Sequence, residues 1–182
     1  MRFVHLASGL DTTPILLDLH RHPELWDANP QRRTYEGSPH RQMVDITVRY
    51  MPEEQLSSLE VRRKEHRNVF WPAWQLLPSL RPLVFLMMTR VQAVELGSIL
   101  ITKLPPGGEI EPHSDAGNWA PWWYNTKAHI TLLGSSLTYC EGEPFRSRQG
   151  DIITFDNLLE HSIRNDGDTD RIVCIISMRV EP

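Results

Sequence analysis

"GDIITFDNLLEHSIRNDGDTDRIVCIISMRV", residues 150–180, decides the fold. Three short runs in it, "DIITF" (151–155), "HSIR" (161–164) and "RIVCIISMRV" (171–180), are rich in Ile, Val, Thr and Phe, and Asp, Asn and Gly stand between them. β-Branched and aromatic side chains suit the pleated surface of a sheet, whereas Asp, Asn and Gly suit turns. The segment therefore reads as three strands, with "DGDTD" (166–170) as the turn into the last. The same texture reaches back to Leu96: "SILITKL" (98–104), "KAHITLL" (127–133) and "SLTYC" (136–140) are further runs of this kind. Several short strands at close intervals imply a sandwich or a small barrel.

Before Leu96 the chain is richer in charge and proline. "MVDITVRY" (43–50) alternates as a strand does, and a helix is expected from near Pro82, with Ser79 close to its start, toward Glu95. Its apolar positions Leu83, Leu86, Met87, Val91 and Val94 are expected on one face, as core packing. The chain thus reads as a single domain over residues 1–182, a mixed helical and extended part (1–95) covering one face of a β-rich part (96–182). A length of 182 residues is enough for one domain with a proper core.

Composition excludes several classes of partner. Net charge is −4 and the isoelectric point is near 6.0, so a general grip on nucleic acid, which needs a basic face, is not expected. The longest apolar run, 83–88, is far short of the roughly 20 residues that cross a bilayer, so no membrane is expected either. His5 and Asp11 interrupt the start, "MRFVHLASGLDTT", where a secretory signal would be apolar. With only Cys140 and Cys174 present, a cytoplasmic protein holding two reduced, buried thiols is the expectation.

The chemistry-bearing residues gather in the second half. On one strand, His113 and Asp115 would face the same side, because side chains repeat every two residues. His161 follows "DIITF", and ten residues later Arg171 enters a strand that is otherwise apolar until Arg179. A buried guanidinium needs an anion, either a ligand carboxylate gripped by the fork or an ion pair with Asp156 or Glu160. Along "KAHITLL", Ala128, Ile130 and Leu132 form a dry back, while Lys127, His129 and Thr131 form a polar front that reads as a pocket wall. Two His and one carboxylate suit iron(II) with open positions, and zinc could use the same ligands. "DAGNWAPWWYN" (115–125) joins one site strand to the next, so Trp119, Trp122 and Trp123 are expected as a lid or wall over the metal. "LHRHPE" (19–24) and "RRKEHR" (62–67) are set aside, the first because proline follows His22, the second as a solvated helix face.

At these residues the stretch from about Leu96 to Val180 resembles the aspartyl/asparaginyl β-hydroxylase group of iron(II)/2-oxoglutarate oxygenases. The matching pieces are "LPPGGEIEPHSD", "NTKAHITLLG", "YCEGEPFRSRQGDIITFDNLLEH" and "HSIRNDGDTDRIVCIISM". The resemblance implies a double-stranded β-helix, that is, a cupin-like jelly roll, and the N-terminal helices expected from the residues themselves would pack on one face of it. It implies His113 and His161 as iron(II) ligands, beside which Asp115 would complete the ordinary triad, with Arg171, Thr102 and His129 anchoring 2-oxoglutarate. Dioxygen would be the other co-substrate, and the reaction would hydroxylate a C–H bond of an amino acid, free or in a peptide or protein. Lys127, Asn125, Trp119 and Trp122 are expected to contact that substrate. Asp115 completes a carboxylate triad that the animal enzyme naming the group lacks, and Lys127 stands where the family often has Arg. Two other readings remain: a zinc or manganese cupin-like isomerase or hydrolase, and a jelly-roll binding module without turnover.

Overall fold

Strand follows strand from Glu95 onward, as the β-branched runs require. The structure, a computed structural model, describes residues 2–52, 67–115 and 123–181. The strands are β1 Phe3–Ala7, β2 Val44–Tyr50, β3 Val69–Phe70, β4 Glu95–Leu104, β5 Glu109–His113, β6 Thr126–Leu133, β7 Ser135–Cys140, β8 Glu143–Arg148, β9 Ile152–Phe155, β10 His161–Arg164 and β11 Arg171–Arg179. Among the described residues the helices are α1 Thr13–Arg21, α2 Gln31–Thr34, α3 Ala73–Leu76 and α4 Leu80–Val91, with a 3-10 turn at Pro23–Leu25. No helix of the described residues is long and apolar enough to cross a membrane.

One sheet has the order β1-β9-β6-β11-β4-β2-β3 and the other β5-β10-β7-β8. The chain thus passes back and forth between the sheets from β4 to β11, and every pairing is antiparallel. This is the jelly roll, or double-stranded β-helix. Its last strand, β11, lies between β4 and β6, with Val173 opposite Thr102 and Ile175 opposite His129.

Period-two alternation gives the larger sheet two faces of different character. Ile172, Cys174 and Ile176 of β11, with their apolar neighbours on β4 and β6, pack against Ile15 and Leu19 of α1 and Leu80, Leu83, Val84 and Met87 of α4. That buried layer is the main core. The opposite face carries Ser98 and Thr102, Lys127 and His129, and Arg171 and Ser177, which line a cavity toward β5 and β10. The dry back and polar front expected of "KAHITLL" are both present.

Two expectations for the first half need correction. The helix runs Leu80–Val91 and stops before Glu95, because Gln92 takes the left-handed conformation (φ 56°) and its N–H bonds the Met88 and Thr89 carbonyls. Glu95 already begins β4. The buried stripe is Leu80, Leu83, Val84 and Met87, while Leu86 is 53% exposed and Val94, beyond the helix end, 57%. Strands β1, β3 and β8 were not foreseen. "EPFRSR" lacks an apolar face, and β8 holds its place by pairing with β7 along the sheet edge, where polar residues are tolerated.

Gly134 shows how tightly the β6–β7 turn abuts the site. Its φ is +74°, and a Cβ there would lie 2.6 Å from the Asp170 carbonyl oxygen and 3.4 Å from the Cα of Arg171. Only glycine fits that turn without displacing the start of β11.

Candidate metal and ligand site

β5 and β10 are hydrogen-bonded neighbours, and their register sets His113 directly opposite His161. The imidazole centroids lie 4.3 Å apart. Asp115 reaches them differently from the expectation of a shared strand, because β5 ends at His113. The next residues are stitched to the segment before β10: Ser114 Oγ donates to the Leu158 carbonyl at 2.6 Å, and the Asp115 N–H to the Asn157 carbonyl at 3.0 Å. One ligand atom from each of His113, Asp115 and His161 then falls within 4.8 Å of the others.

Hydrogen bonds aim all three donors. His113 Nδ1 lies 2.7 Å from the Glu111 carbonyl oxygen, and His161 Nδ1 lies 2.9 Å from that of Leu159. A carbonyl only accepts, so each Nδ1 carries the hydrogen and each Nε2 presents its lone pair to the shared space. Asp115 Oδ2 accepts from Lys127 Nζ and, at 2.7 Å, from Asn157 Nδ2. That leaves Oδ1 facing His113 Nε2 at 3.9 Å. Burial works to raise the pKa of Asp115, but the charge and hydrogen bond of Lys127 outweigh it, and the carboxyl is held well below the usual range. His161 is pushed below its ordinary value, burial being the main cause. Two Nε2 donors and one carboxylate oxygen fit a divalent metal with open positions, iron(II) and zinc alike.

Asn157 was missed at the level of sequence, although it lies inside "FDNLLEH". Asn157→Ala is expected to weaken metal binding by roughly 10–100-fold, the usual effect of losing a partner that orients a ligand. Calorimetric titration with manganese(II) measures it, and equal affinities would mean that Asn157 does not hold Asp115.

The other wall of the cavity has a different chemistry. Arg171 is 2% exposed, and its Nε donates to Ser136 Oγ at 2.8 Å. Among the described residues it makes no ion pair with Asp156 or Glu160, the alternative raised by its position. Its Nη1 is buried without a hydrogen-bond partner, and so are Thr102 Oγ1 and His129 Nε2. Burial lowers the Arg171 pKa to about 10, which leaves it cationic at neutral pH. His129 is held well below its ordinary value by burial and then by the charges of Lys127 and Arg171. A buried polar atom without a partner costs about 1–3 kcal/mol. Three of them, on adjacent strands facing one cavity, fit an anionic ligand with more than one polar end.

The residues expected to touch substrate divide. Lys127 lines the cavity, but its ammonium is committed to Asp115. Asn125 does not line it: its amide donates to the Val180 carbonyl at 2.8 Å and accepts from the Val180 N–H at 3.0 Å, so it clasps the end of β11. Trp119 and Trp122 lie outside the described residues. Trp123 is no lid, since its ring stacks under the Arg179 guanidinium at 3.9 Å and its Nε1 donates to Glu95 Oε2 at 2.9 Å. Of the motif set aside, His22 pairs with Glu24 at 2.9 Å. Three residues of the first half enter the cavity unforeseen: Arg32 from α2, Met43, and His40, whose ring stands edge-on to His113 at 5.0 Å.

These buried imidazoles make the metal-free protein acid-sensitive. Burial, followed by the charges of Arg32 and His113, pushes His40 from 6.5 to about 2. Its folded pKa is thus depressed, so below pH 6.5 the unfolded chain takes up a proton that the folded chain refuses. Stability is present above that pH and falls by about 1.4 kcal/mol per unit as pH drops. His129 and His161 are shifted in the same direction and add to the loss. Urea midpoints at pH 7.5 and 5.5 are expected to show a marked decrease at the lower pH. Equal midpoints would contradict the neutral burial of these rings.

Comparison with known proteins agrees with this architecture. The family model described as aspartyl/asparaginyl β-hydroxylase matches residues 62–180. No curated protein matches the chain. An oxidoreductase of the 2OG-Fe(II) oxygenase family from Burkholderia pseudomallei superposes with a TM-score of 0.53 at 13% identity, covering 75% of this chain and 67% of its own. At that identity the likeness concerns the fold alone. A protein described as a predicted oxalate decarboxylase from Thermotoga maritima aligns at 25% identity with a TM-score of 0.38, covering 47% of this chain and 68% of its own. A cupin superfamily protein from Desulfitobacterium hafniense aligns at 11% identity with a TM-score of 0.36, covering 46% of this chain and 67% of its own. The chain thus spans about two thirds of the length of each.

Proposed function

Because the chain belongs to the aspartyl/asparaginyl β-hydroxylase family, we propose that it is an iron(II)- and 2-oxoglutarate-dependent dioxygenase that hydroxylates a C–H bond of an amino acid, free or within a peptide or protein. The observation that carries this reading is the set of orphaned atoms, Arg171 Nη1, Thr102 Oγ1 and His129 Nε2, facing the cavity that also holds the His113, Asp115 and His161 donors. A metal hydrolase acting on a neutral substrate would have use for the three donors and none for the three orphans.

His113 Nε2, His161 Nε2 and Asp115 Oδ1 would hold iron(II). Bound together with 2-oxoglutarate, the metal supplies the redox chemistry in which dioxygen gives one atom to the substrate and one to succinate, with release of carbon dioxide. Arg171 binds the distal carboxylate with its fork, and Thr102 donates its hydroxyl to the same group. His129, kept neutral by its burial, contacts the other carboxylate. Lys127 and Asn157 hold Asp115 Oδ2, so that the carboxylate offers the metal one oxygen and leaves positions open. Leu100, Ile163 and Ile175 line the cavity between these groups and keep water from them.

The test is succinate formation in air. Succinate is expected only when both iron(II) and 2-oxoglutarate are supplied, slowly without substrate and faster when an amino acid or peptide that fits is added. Metal retention without any affinity for 2-oxoglutarate would favour the zinc or manganese cupin-like alternative. Binding of 2-oxoglutarate that never yields succinate would make the chain a binding module.

A further inference from the structure

Among the described residues, three side-chain cations line the cavity: Arg171, Lys127 and Arg32. They are not equivalent. Arg171 bonds Ser136 beside the orphaned Thr102 and His129, and Lys127 is paired with Asp115. Among the described residues Arg32 donates through Nη1 alone, to Asp45 Oδ2 at 2.7 Å. A guanidinium carries five N–H donors in a rigid fork, so most of this one remains for a ligand.

The chain holds Arg32 in place with some care. Asp45 is 6% exposed and lies on β2 opposite Thr102, which anchors the guanidinium against the sheet that forms the cavity wall. Ser38 Oγ donates to the Arg32 carbonyl at 2.5 Å, and the Glu111 N–H donates to the Pro39 carbonyl at 3.1 Å. The segment carrying Arg32 and His40 is thereby tied to β5, the strand that ends in His113. Arg32 and His40 both precede residues 62–180, so the family match assigns them nothing.

Charge indicates what the subsite takes. Arg32 with Asp45 is neutral, as is Lys127 with Asp115. Arg171 contributes one positive charge, a divalent metal adds two and a dicarboxylate co-substrate removes two. One positive charge then remains, which an anionic substrate group would balance.

We propose that Arg32 is the specificity-determining residue of this site, its free edge binding a carboxylate of the substrate, a role open to it because Lys127 is committed to Asp115. The proposal rests on the reading of the chain as an amino-acid hydroxylase. Asp45 is a positioning residue that fixes the fork.

The experiment uses the full chain loaded with manganese(II), with and without 2-oxoglutarate, titrated calorimetrically with three pairs of probes that differ in one carboxylate. The pairs are L-aspartate and L-asparagine, their N-acetyl methylamide derivatives, and L-asparagine and L-asparaginamide. In at least one pair the acid is expected to bind about tenfold tighter or more. Arg32→Met should reduce that preference to below about twofold, leaving the affinity for 2-oxoglutarate unchanged, and Arg32→Lys should restore part of it. If Arg32→Met unfolds because Asp45 is left unpaired, the double variant Arg32→Met/Asp45→Asn removes both charges and is expected to behave the same way. No preference in the wild type, or a preference that survives these substitutions, overturns the proposal. Failure of 2-oxoglutarate to bind would instead overturn the enzyme assignment, and the probe titrations on the manganese protein alone remain readable.

Discussion

His161→Ala is expected to leave the protein folded and unable to retain a stoichiometric divalent metal. The reasoning begins with the register, which sets His161 opposite His113 and places both Nε2 atoms beside Asp115. The Leu159 carbonyl fixes the tautomer of His161, so its Nε2 is ready to bind without rearrangement. Removing it leaves one imidazole and one carboxylate, a pair that holds divalent iron poorly. The loss should exceed the roughly 10–100-fold effect expected when a partner that merely orients a ligand is removed. Competition against a chelator measures it. Near-stoichiometric metal in the purified variant would refute the assignment of His161.

Arg171→Ala is expected to weaken 2-oxoglutarate while leaving the metal bound. Loss of a charge-assisted contact whose partner remains buried costs on the order of 2–5 kcal/mol, or about 30-fold to several thousand-fold in affinity. Arg171 does not touch His113, Asp115 or His161, so metal affinity should change little. Arg171→Lys should recover only part, because an ammonium cannot present the fork. Stability should move the other way in Arg171→Met: the native guanidinium is 2% exposed with Nη1 unpartnered, so a neutral chain of similar length removes a buried charge that no ion pair among the described residues balances. Equal 2-oxoglutarate affinity in wild type and Arg171→Ala would contradict its role.

How much of this was legible depended on whether the signal was local. The strands from β4 onward announce themselves through β-branched runs between turn residues, and "KAHITLL" displays both its faces in seven letters. His113, His161 and Arg171 were readable because a polar residue in an apolar strand needs a reason. Asp115 was found by its spacing from His113, yet it arrives through the Ser114 and Asp115 hydrogen bonds to residues 157 and 158, which no spacing reveals. Asn157 and the pairing of Lys127 with Asp115 belong to the same long-range network. Asn125 misled because an Asn beside a site strand can equally clasp backbone, here that of Val180. Trp123 misled because it lies one step beyond the cavity, where Arg179 and Glu95 compete for its ring. Arg32 gave no signal, since only the packing of the first half against β5 and β2 brings it to the cavity.

Anaerobic titration of the metal-free protein with iron(II) and then 2-oxoglutarate tests the central claim most directly. The expected result is a visible charge-transfer band that requires both additions, saturates at one equivalent of each, and is lost in His161→Ala. In Arg171→Ala it should return only at much higher 2-oxoglutarate. Iron(II) that binds while 2-oxoglutarate leaves the spectrum unchanged would contradict it.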